Sequence, residues 1–253
     1  MKKAVTLLLL LITTLCAQGV EISDQDALRI GKKIWINECA GTVEGLTSWN
    51  KGEDFPSLGI GHFIWYREGQ EKIEPFEQSF PKLVVYLREQ NIAVPAWLHG
   101  AAPWKNREEF FKEIHGERLT QLRKLLKDTV PHQARFMAIR LHQSLPKMIE
   151  NLPQEEQDRI QRNFNRLLQN AQGVYALMDY VNFKGEGVSP KERYQGKGWG
   201  LLQVLTEMDD QTPSANDAFA DAAIHVLTRR IKLAPKDESR WLAGWTNRAN
   251  TYR

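Results

Sequence analysis

The stretch PSLGIGHFIWY, residues 56–66, decides how the N-terminal part of this 253-residue chain folds. It is rich in β-branched and aromatic residues and follows the polar turn Lys51-Gly52-Glu53-Asp54. The segment before that turn, Leu46-Thr47-Ser48-Trp49-Asn50, has similar composition. Such segments on both sides of a Gly-containing turn predict a small β-hairpin formed by residues 46–50 and 56–66.

The segment before the hairpin has helical spacing. Ser23 can cap a helix, acids follow in the first turn, and Gly41 would end the element. Its periodic positions are Ala27, Ile30, Ile34 and Glu38.

From residue 81 onward the sequence predicts helices, with a loop at 189–198. The expected helical ranges are 81–90, 106–127, 131–150, 153–170, 174–183, 199–208, 216–233 and 237–250. We therefore expect an α+β, predominantly helical fold, with one small hairpin near the N-terminus followed by a helical part. A single domain would span residues 18–253, with helix and hairpin at 23–66 and the helical part at 81–250.

Residues 1–17 have the pattern of a secretory signal peptide. Lys2 and Lys3 precede a short apolar run and the small residues before Gln18. Cleavage after Ala17 predicts an exported protein, periplasmic or secreted, and a lipoprotein anchored at Cys16 is the alternative. We expect no membrane association after cleavage.

Composition excludes several classes of function. Loss of Lys2 and Lys3 takes 34 basic side chains to 32 against 31 acidic ones, so net charge indicates no anionic partner. Basic residues form no block typical of nucleic-acid binding. With two cysteines and no paired-His motif, the sequence predicts no metal site and no cofactor. We expect a monomer.

Glu38 is the most informative acid. It continues the apolar face of the first helix, where burial would raise the pKa of its carboxyl and suit it to donate a proton. Glu53 and Asp54, in the hairpin turn, are candidates for a second carboxylate. A pair of such acids is the usual equipment for glycoside hydrolysis. A purely structural Glu38 is the alternative.

Two groups of motifs resemble phage-type lysozymes and, over the whole chain, exported bacterial lysozyme-like proteins. The first group consists of Glu44-Gly45-Leu46 and Ser57-Leu58-Gly59-Ile60-Gly61-His62. The second of these two motifs is similar to the family's T-I-G-x-G-H strand. In the second half, residues 176–185 (ALMDYVNFKG) are similar to an apolar helix ending in F-N-x-G. Residues 198–204 (GWGLLQV) are similar to the G-L-M-Q segment of goose-type lysozymes and lytic transglycosylases, although here that segment lies far downstream.

The resemblance implies a lysozyme-like fold and cleavage of the β-1,4 glycan of peptidoglycan. It places Ser57 where the family has a substrate- or water-orienting hydroxyl, and His62 where the motif has its His, with a structural role. Lys51 stands where the family has its hairpin Asp, so the second acid is in question. Glu44 competes with Glu38 as the general acid, and we prefer Glu38 for its apolar face.

Several side chains are candidates to bind sugar. Trp241 and Trp245 are expected to pack, and Cys39 to be inert. The candidate substrate-binding residues are Trp49, Asn50, His62, Trp65, Asn182, Glu186 and Gln203.

The sequence thus predicts a metal-independent peptidoglycan glycosidase. A lytic transglycosylase is one alternative, and a non-catalytic peptidoglycan-binding protein is another. An enzyme acting on a related polysaccharide such as chitin also remains open.

Overall fold

The computed structural model describes residues 22–70 and 77–253, so the predicted signal peptide and Cys16 lie outside the described residues. The helices are α1 (Asp24–Cys39), α2 (Phe80–Glu89), α3 (Arg107–Lys112), α4 (Glu117–Asp128), α5 (Val130–Ile149), α6 (Gln154–Leu167), α7 (Ala171–Lys184), α8 (Leu201–Glu207), α9 (Ala215–Leu233) and α10 (Leu242–Asn250). The strands are β1 (Thr47–Ser48), β2 (Ser57–Leu58), β3 (Phe63–Ile64), β4 (Arg193–Tyr194) and β5 (Lys197–Gly198). Short 3₁₀ helices cover Glu44–Leu46, Ala96–His99 and Ser239–Trp241. This confirms a predominantly helical fold with a small antiparallel sheet.

Side-chain caps explain where several helices begin. The Ser23 hydroxyl accepts a hydrogen bond from the Asp26 amide at 3.0 Å, which confirms the predicted start of α1. The Asn106 side chain caps α3 in the same way. Asn170 accepts from the Gly173 amide at 2.8 Å, so α7 begins three residues earlier than its apolar pattern predicts.

The predicted second arm of the hairpin, residues 56–66, is two strands rather than one. β2 pairs antiparallel with both β1 and β3, and Ser57 lies opposite Ile64. Gly59 and His62 have positive φ angles of 68° and 46°, which reverse the chain between β2 and β3. The prediction of a single hairpin was wrong here, because β-branched and aromatic composition does not show where the chain reverses within such a segment.

Two other boundaries differ from the prediction. The helix expected over 106–127 is divided into α3 and α4, because Gly116 is extended and begins a new helix. The segment 189–198, predicted as a loop, contains the β4–β5 hairpin. Its turn residues Gln195 and Gly196 both have positive φ, the geometry that matches the twist of a tight hairpin.

The helices pack around one apolar cluster that extends from the sheet to the C-terminal helices. Leu58 and Phe63 of the sheet belong to it, as do Leu177 of α7 and Phe219 of α9. α1 packs against α5 and α7, while α9 packs against α8 and α10. No described helix is long and apolar enough to cross a membrane.

A buried glutamine joins the sheet to α5. Gln133 is fully buried, and its Oε1 accepts a hydrogen bond from the Ile60 amide at 3.0 Å. Its Nε2 donates to the Leu126 carbonyl at 2.6 Å. The side-chain amide of Gln133 therefore links the turn between β2 and β3 to the last turn of α4.

Replacement of this glutamine tests that connection. Gln133→Leu would leave the Ile60 amide and the Leu126 carbonyl buried without these partners. We expect the free energy of unfolding to fall by about 1–3 kcal/mol, measured by urea denaturation. Gln161→Leu, on the exposed side of α6, is the matched control. Equal effects of the two substitutions would contradict the role of Gln133.

Candidate functional site

Glu38 lies in the last turn of α1, beside the turn between β2 and β3. Its side chain is only 11% exposed, and its Oε2 is 3.8 Å from Nδ1 of His62. The helix face that carries Ile30 and Ile34 directs Glu38 toward the interior, as its spacing predicts. The structure therefore brings together two of the residues that the sequence singled out, Glu38 and His62.

The chief partner of Glu38 is Arg248 of α10, whose Nη2 donates to Glu38 Oε1. The same guanidinium donates from Nε to Asp179 Oδ2 at 2.7 Å and from Nη2 to Asp179 Oδ1 at 2.9 Å. Burial alone would lower the pKa of Arg248, but the hydrogen bonds and charges of the two carboxylates outweigh it and raise the pKa. Arg248 is therefore a permanent cation held between two acids.

Asp179 holds this cation in place. It is fully buried on α7, and Tyr252 donates its hydroxyl proton to Asp179 Oδ2 at 2.7 Å. Asn37 Nδ2 donates to Oδ1 at 3.0 Å. A buried carboxylate needs such partners, and here they come from α1 and from the end of the chain.

These contacts correct the expected surroundings of Glu38. The sequence predicts an apolar environment, whereas the structure places a guanidinium and an imidazole beside the carboxyl group. The signal that sequence analysis missed was Asp179, an acid within an otherwise apolar stretch, which requires a buried cation somewhere in the fold.

Cys39, next to Glu38, is inert. Burial, together with the charge of Glu38, raises the pKa of its thiol to about 12. Its Sγ lies 3.7 Å from the carbonyl oxygen of Gly59. A thiol that stays protonated at neutral pH is a poor nucleophile.

The hairpin acids make contacts of their own. The Glu53 carboxylate accepts a hydrogen bond from Asn50 Nδ2 at 3.2 Å, within the turn itself. The backbone carbonyl of Asp54 accepts from Gln70 at 2.8 Å, and the Asp54 side chain is exposed. Ser57 is buried in β2. Among the described contacts, none joins Glu53, Asp54 or Ser57 to Glu38.

The two tryptophans expected to stack on sugar belong to the core. Trp49 packs edge-on against Phe110, and its indole nitrogen donates to the Glu53 carbonyl at 2.7 Å. Trp65 is fully buried and donates to the Gly100 carbonyl at 3.0 Å. Their burial corrects the expectation, because neither ring offers an open face to a ligand.

The candidates in the second half have different positions. Gln203 is structural: its Oε1 accepts from the Gly200 amide at 2.9 Å, and its Nε2 donates to the Gly187 carbonyl at 3.1 Å. Glu186 is half-buried, and burial raises the pKa of its carboxyl against the opposing charges of Arg140 and Lys147. Asn182 is half-buried on α7.

A cationic and aromatic group next to Arg248 was not predicted from the sequence. Lys184 Nζ lies 3.9 Å from the ring centre of Phe183 and 3.6 Å from that of Trp245, while Arg248 lies 4.1 Å from that of Phe183. Burial, with the charges of Arg230 and Arg248, lowers the pKa of Lys184 to about 7. Trp245 and Arg248, three apart on the last helix, were the available signal.

Removal of the guanidinium tests the Arg248 cluster. Arg248→Met would leave Asp179 buried without its cation, so we expect the free energy of unfolding to fall by about 3–5 kcal/mol. Urea denaturation measures the change. Arg240→Met, at an arginine outside the cluster, should change stability little. A small loss in Arg248→Met would show that the pair is not required for folding.

The pKa of Lys184 predicts a pH dependence of stability. The unfolded chain binds this proton up to its ordinary pKa of 10.5, whereas the folded chain releases it near 7. Stability should therefore rise with pH between about 7 and 10.5, where the unfolded state binds more protons.

Thermal unfolding across that range should show a smaller rise in Lys184→Met than in the wild type. Lys191→Met, at an exposed lysine, is the control. An unchanged slope in Lys184→Met would contradict the assignment.

Comparisons with models of protein families, with curated proteins and with solved structures found no match to this chain. Within this chain, the candidate functional site is the group formed by Glu38, His62, Arg248 and Asp179. Among the described residues, no group of His, Cys, Asp and Glu side chains is placed to hold a metal ion.

Proposed function

We propose that the protein cleaves the glycan strands of peptidoglycan at β-1,4 glycosidic bonds, on a lysozyme-like fold, with Glu38 as the general acid. The observation that carries the proposal is the contact between Glu38, at the end of α1, and His62 of the SLGIGH motif. This contact joins the candidate acid, chosen for its place on α1, to the motif that resembles phage-type lysozymes. The predicted signal peptide is consistent with a substrate outside the cytoplasm.

Under this proposal, Glu38 donates a proton to a leaving sugar oxygen through Oε2, the oxygen that Arg248 does not contact. Arg248 contacts Oε1, so Oε2 remains on the side of His62. After the proton leaves, the guanidinium stabilises the carboxylate that forms. Asp179 is fully buried and acts through Arg248, as a positioning residue rather than a group that contacts substrate.

A lytic transglycosylase is the second candidate, because Lys51 stands where the resemblance implies the hairpin Asp, so the second acid is in question. Glu53 accepts a hydrogen bond within its own turn, the Asp54 side chain is exposed, and no described contact joins either residue to Glu38. With one carboxyl group, Glu38 would first protonate the leaving oxygen. It would then accept the proton of a hydroxyl group that belongs to the cleaved sugar itself, as that hydroxyl attacks intramolecularly.

A non-catalytic peptidoglycan-binding protein is the third candidate. The ion pair between Glu38 and Arg248 favours it, because an acid fixed by a guanidinium also has a purely structural use. A related polysaccharide such as chitin or chitosan would suit the same chemistry. Separate digestions of peptidoglycan, chitin and chitosan show which of these polysaccharides is the substrate.

Digestion of purified cell walls tests the proposal. We expect Glu38→Gln to lose activity by about 10²–10⁴-fold, because it removes the proton donor. Glu44→Gln is the matched control, since Glu44 is an exposed acid six residues along the chain. Mass spectrometry of the products separates reducing ends, which indicate hydrolysis, from anhydro-muramic ends, which indicate a transglycosylase.

Each other outcome decides between the candidates. Equal activity of wild type and Glu38→Gln would refute the mechanism, and loss in Glu44→Gln alone would move the acid to that position. A wild-type protein that binds the wall and never cleaves it, over a broad pH range, would establish the binding protein instead.

A further inference from the structure

One side of α10 leads from Glu38 to the solvent. Trp241 immediately precedes α10 with helical backbone angles, so residues 241, 245 and 248, spaced by four and three, lie on the same side of the helix. Arg248, at one end of this row, contacts Glu38, while Trp241, at the other end, is 49% exposed. Trp245 lies between them and is half-buried. We name this row the α10 face, and it is about 10 Å long at 1.5 Å for each residue.

The expectation that Trp241 packs was wrong. Its ring is not part of the apolar cluster and contacts no other aromatic ring among the described residues. The Arg240 guanidinium lies 4.8 Å from the centre of the ring. Trp245, by contrast, packs against the apolar cluster. The folded chain thus leaves the broad ring of Trp241 half in water, and such a flat apolar surface suits one side of a sugar ring.

Lys184 adds an unpaired amine to the middle of the α10 face. Its Nζ lies 3.6 Å from the centre of the Trp245 ring and, among the described residues, makes no hydrogen bond or ion pair. Nζ also keeps some contact with solvent, since it is not one of the buried unpaired nitrogens of the described chain. The neighbouring cations, Arg230 and Arg248, each form an ion pair with a carboxylate. Lys184 is therefore the cation of this group that has no acceptor.

The charges around Lys184 favour an anionic ligand. Burial, together with the charges of Arg230 and Arg248, lowers the pKa of Lys184 to about 7. The charges of Glu238 and Glu38 act in the opposite direction and do not offset this. A carboxylate bound to Nζ would favour the ammonium form and raise the pKa again.

We propose that the α10 face binds the glycan beside the cleaved bond, with a sugar ring stacked on Trp241 and a carboxylate of the glycan paired with the Lys184 ammonium. This proposal rests on the function proposed above, in which Glu38 at the inner end of the face is the acid. The muramic units of peptidoglycan carry a lactyl carboxyl group, which is either free or extended by a peptide that ends in carboxylates, whereas chitin has no carboxylate. Lys184 is therefore the residue that distinguishes peptidoglycan from chitin.

Titration with three soluble oligosaccharides tests the α10 face. They are a peptidoglycan fragment with free lactyl carboxylates, the same fragment with its peptides, and a chitin fragment of equal length. Calorimetry on both wild type and Glu38→Gln measures binding whether or not the wild type cleaves. At about pH 6, where Lys184 is mostly protonated, we expect at least one acidic fragment to bind about fivefold more tightly than the chitin fragment. Tighter binding of the peptide-free fragment assigns the lactyl carboxylate, and of the other fragment a peptide carboxylate.

Two variants separate the two contacts. Trp241→Ala should weaken binding of all three fragments by about fivefold, because the stacking surface is lost. Lys184→Met should reduce the affinity for the acidic fragments to that for the chitin fragment and leave chitin binding unchanged. Phe111→Ala, at an exposed aromatic residue of α3, and Lys127→Met, at an exposed lysine of α4, are the matched controls.

The lysine itself gives a second measurement. The pKa of Lys184 can be followed by NMR of its Cε carbon in the wild type. We expect this pKa to rise when the acidic fragment binds and to stay unchanged with the chitin fragment, because only a paired carboxylate favours the ammonium form.

Several results would overturn the proposal. These are the absence of binding by all three fragments, equal affinity of the wild type for acidic and chitin fragments, and unchanged binding in Trp241→Ala. Any of them, found together with loss of wall digestion in Glu38→Gln, would leave the proposed function intact. Conversely, binding that depends on Trp241 and Lys184 in a wild type that never cleaves would retain the α10 face and refute the enzyme.

Discussion

The ion pair between Asp179 and Arg248 is the contact on which the arrangement of the site depends. Asp179 is fully buried in α7, and a carboxylate without a partner there would be strongly destabilising. Arg248 reaches Asp179 from α10, which packs against α9, and its two hydrogen bonds to Asp179 set the position of the guanidinium. Arg248 then has one edge left for Glu38, so the orientation of the candidate acid is decided 210 residues further along the chain.

The other side of Glu38 is set by the small sheet. Positive φ angles at Gly59 and His62 reverse the chain between β2 and β3, and Gln133 holds the Ile60 amide within that turn. His62 is presented to Glu38 as a result. A turn from the first third of the sequence and a helix close to residue 250 thus hold the same carboxyl group from two sides.

Much of this architecture could be predicted from local sequence, and the parts that could not are long-range. Helical periodicity and the cap at Ser23 located α1, and the apolar face predicted that Glu38 points inward. Periodicity could not show that Arg248 would meet it there, because nothing local links the two positions. The same limit explains Trp49 and Trp65: aromatic residues beside a turn suit a sugar cleft or a core equally, and burial in the folded chain decided for the core.

The two oxygens of Glu38 differ in a way that bears on whether an ion-paired acid can do chemistry. Oε1 accepts from Arg248, while Oε2 lies toward His62 at 3.8 Å, beyond hydrogen-bond distance. Arg248 is itself held by Asp179 and covers the ring of Phe183, so it fixes Oε1 without needing to move. Under the proposed function, Oε2 would carry the proton to the leaving oxygen, and Arg248 would stabilise the charge that remains. An arginine suits this role better than a lysine, because its planar group can contact both carboxylates at once.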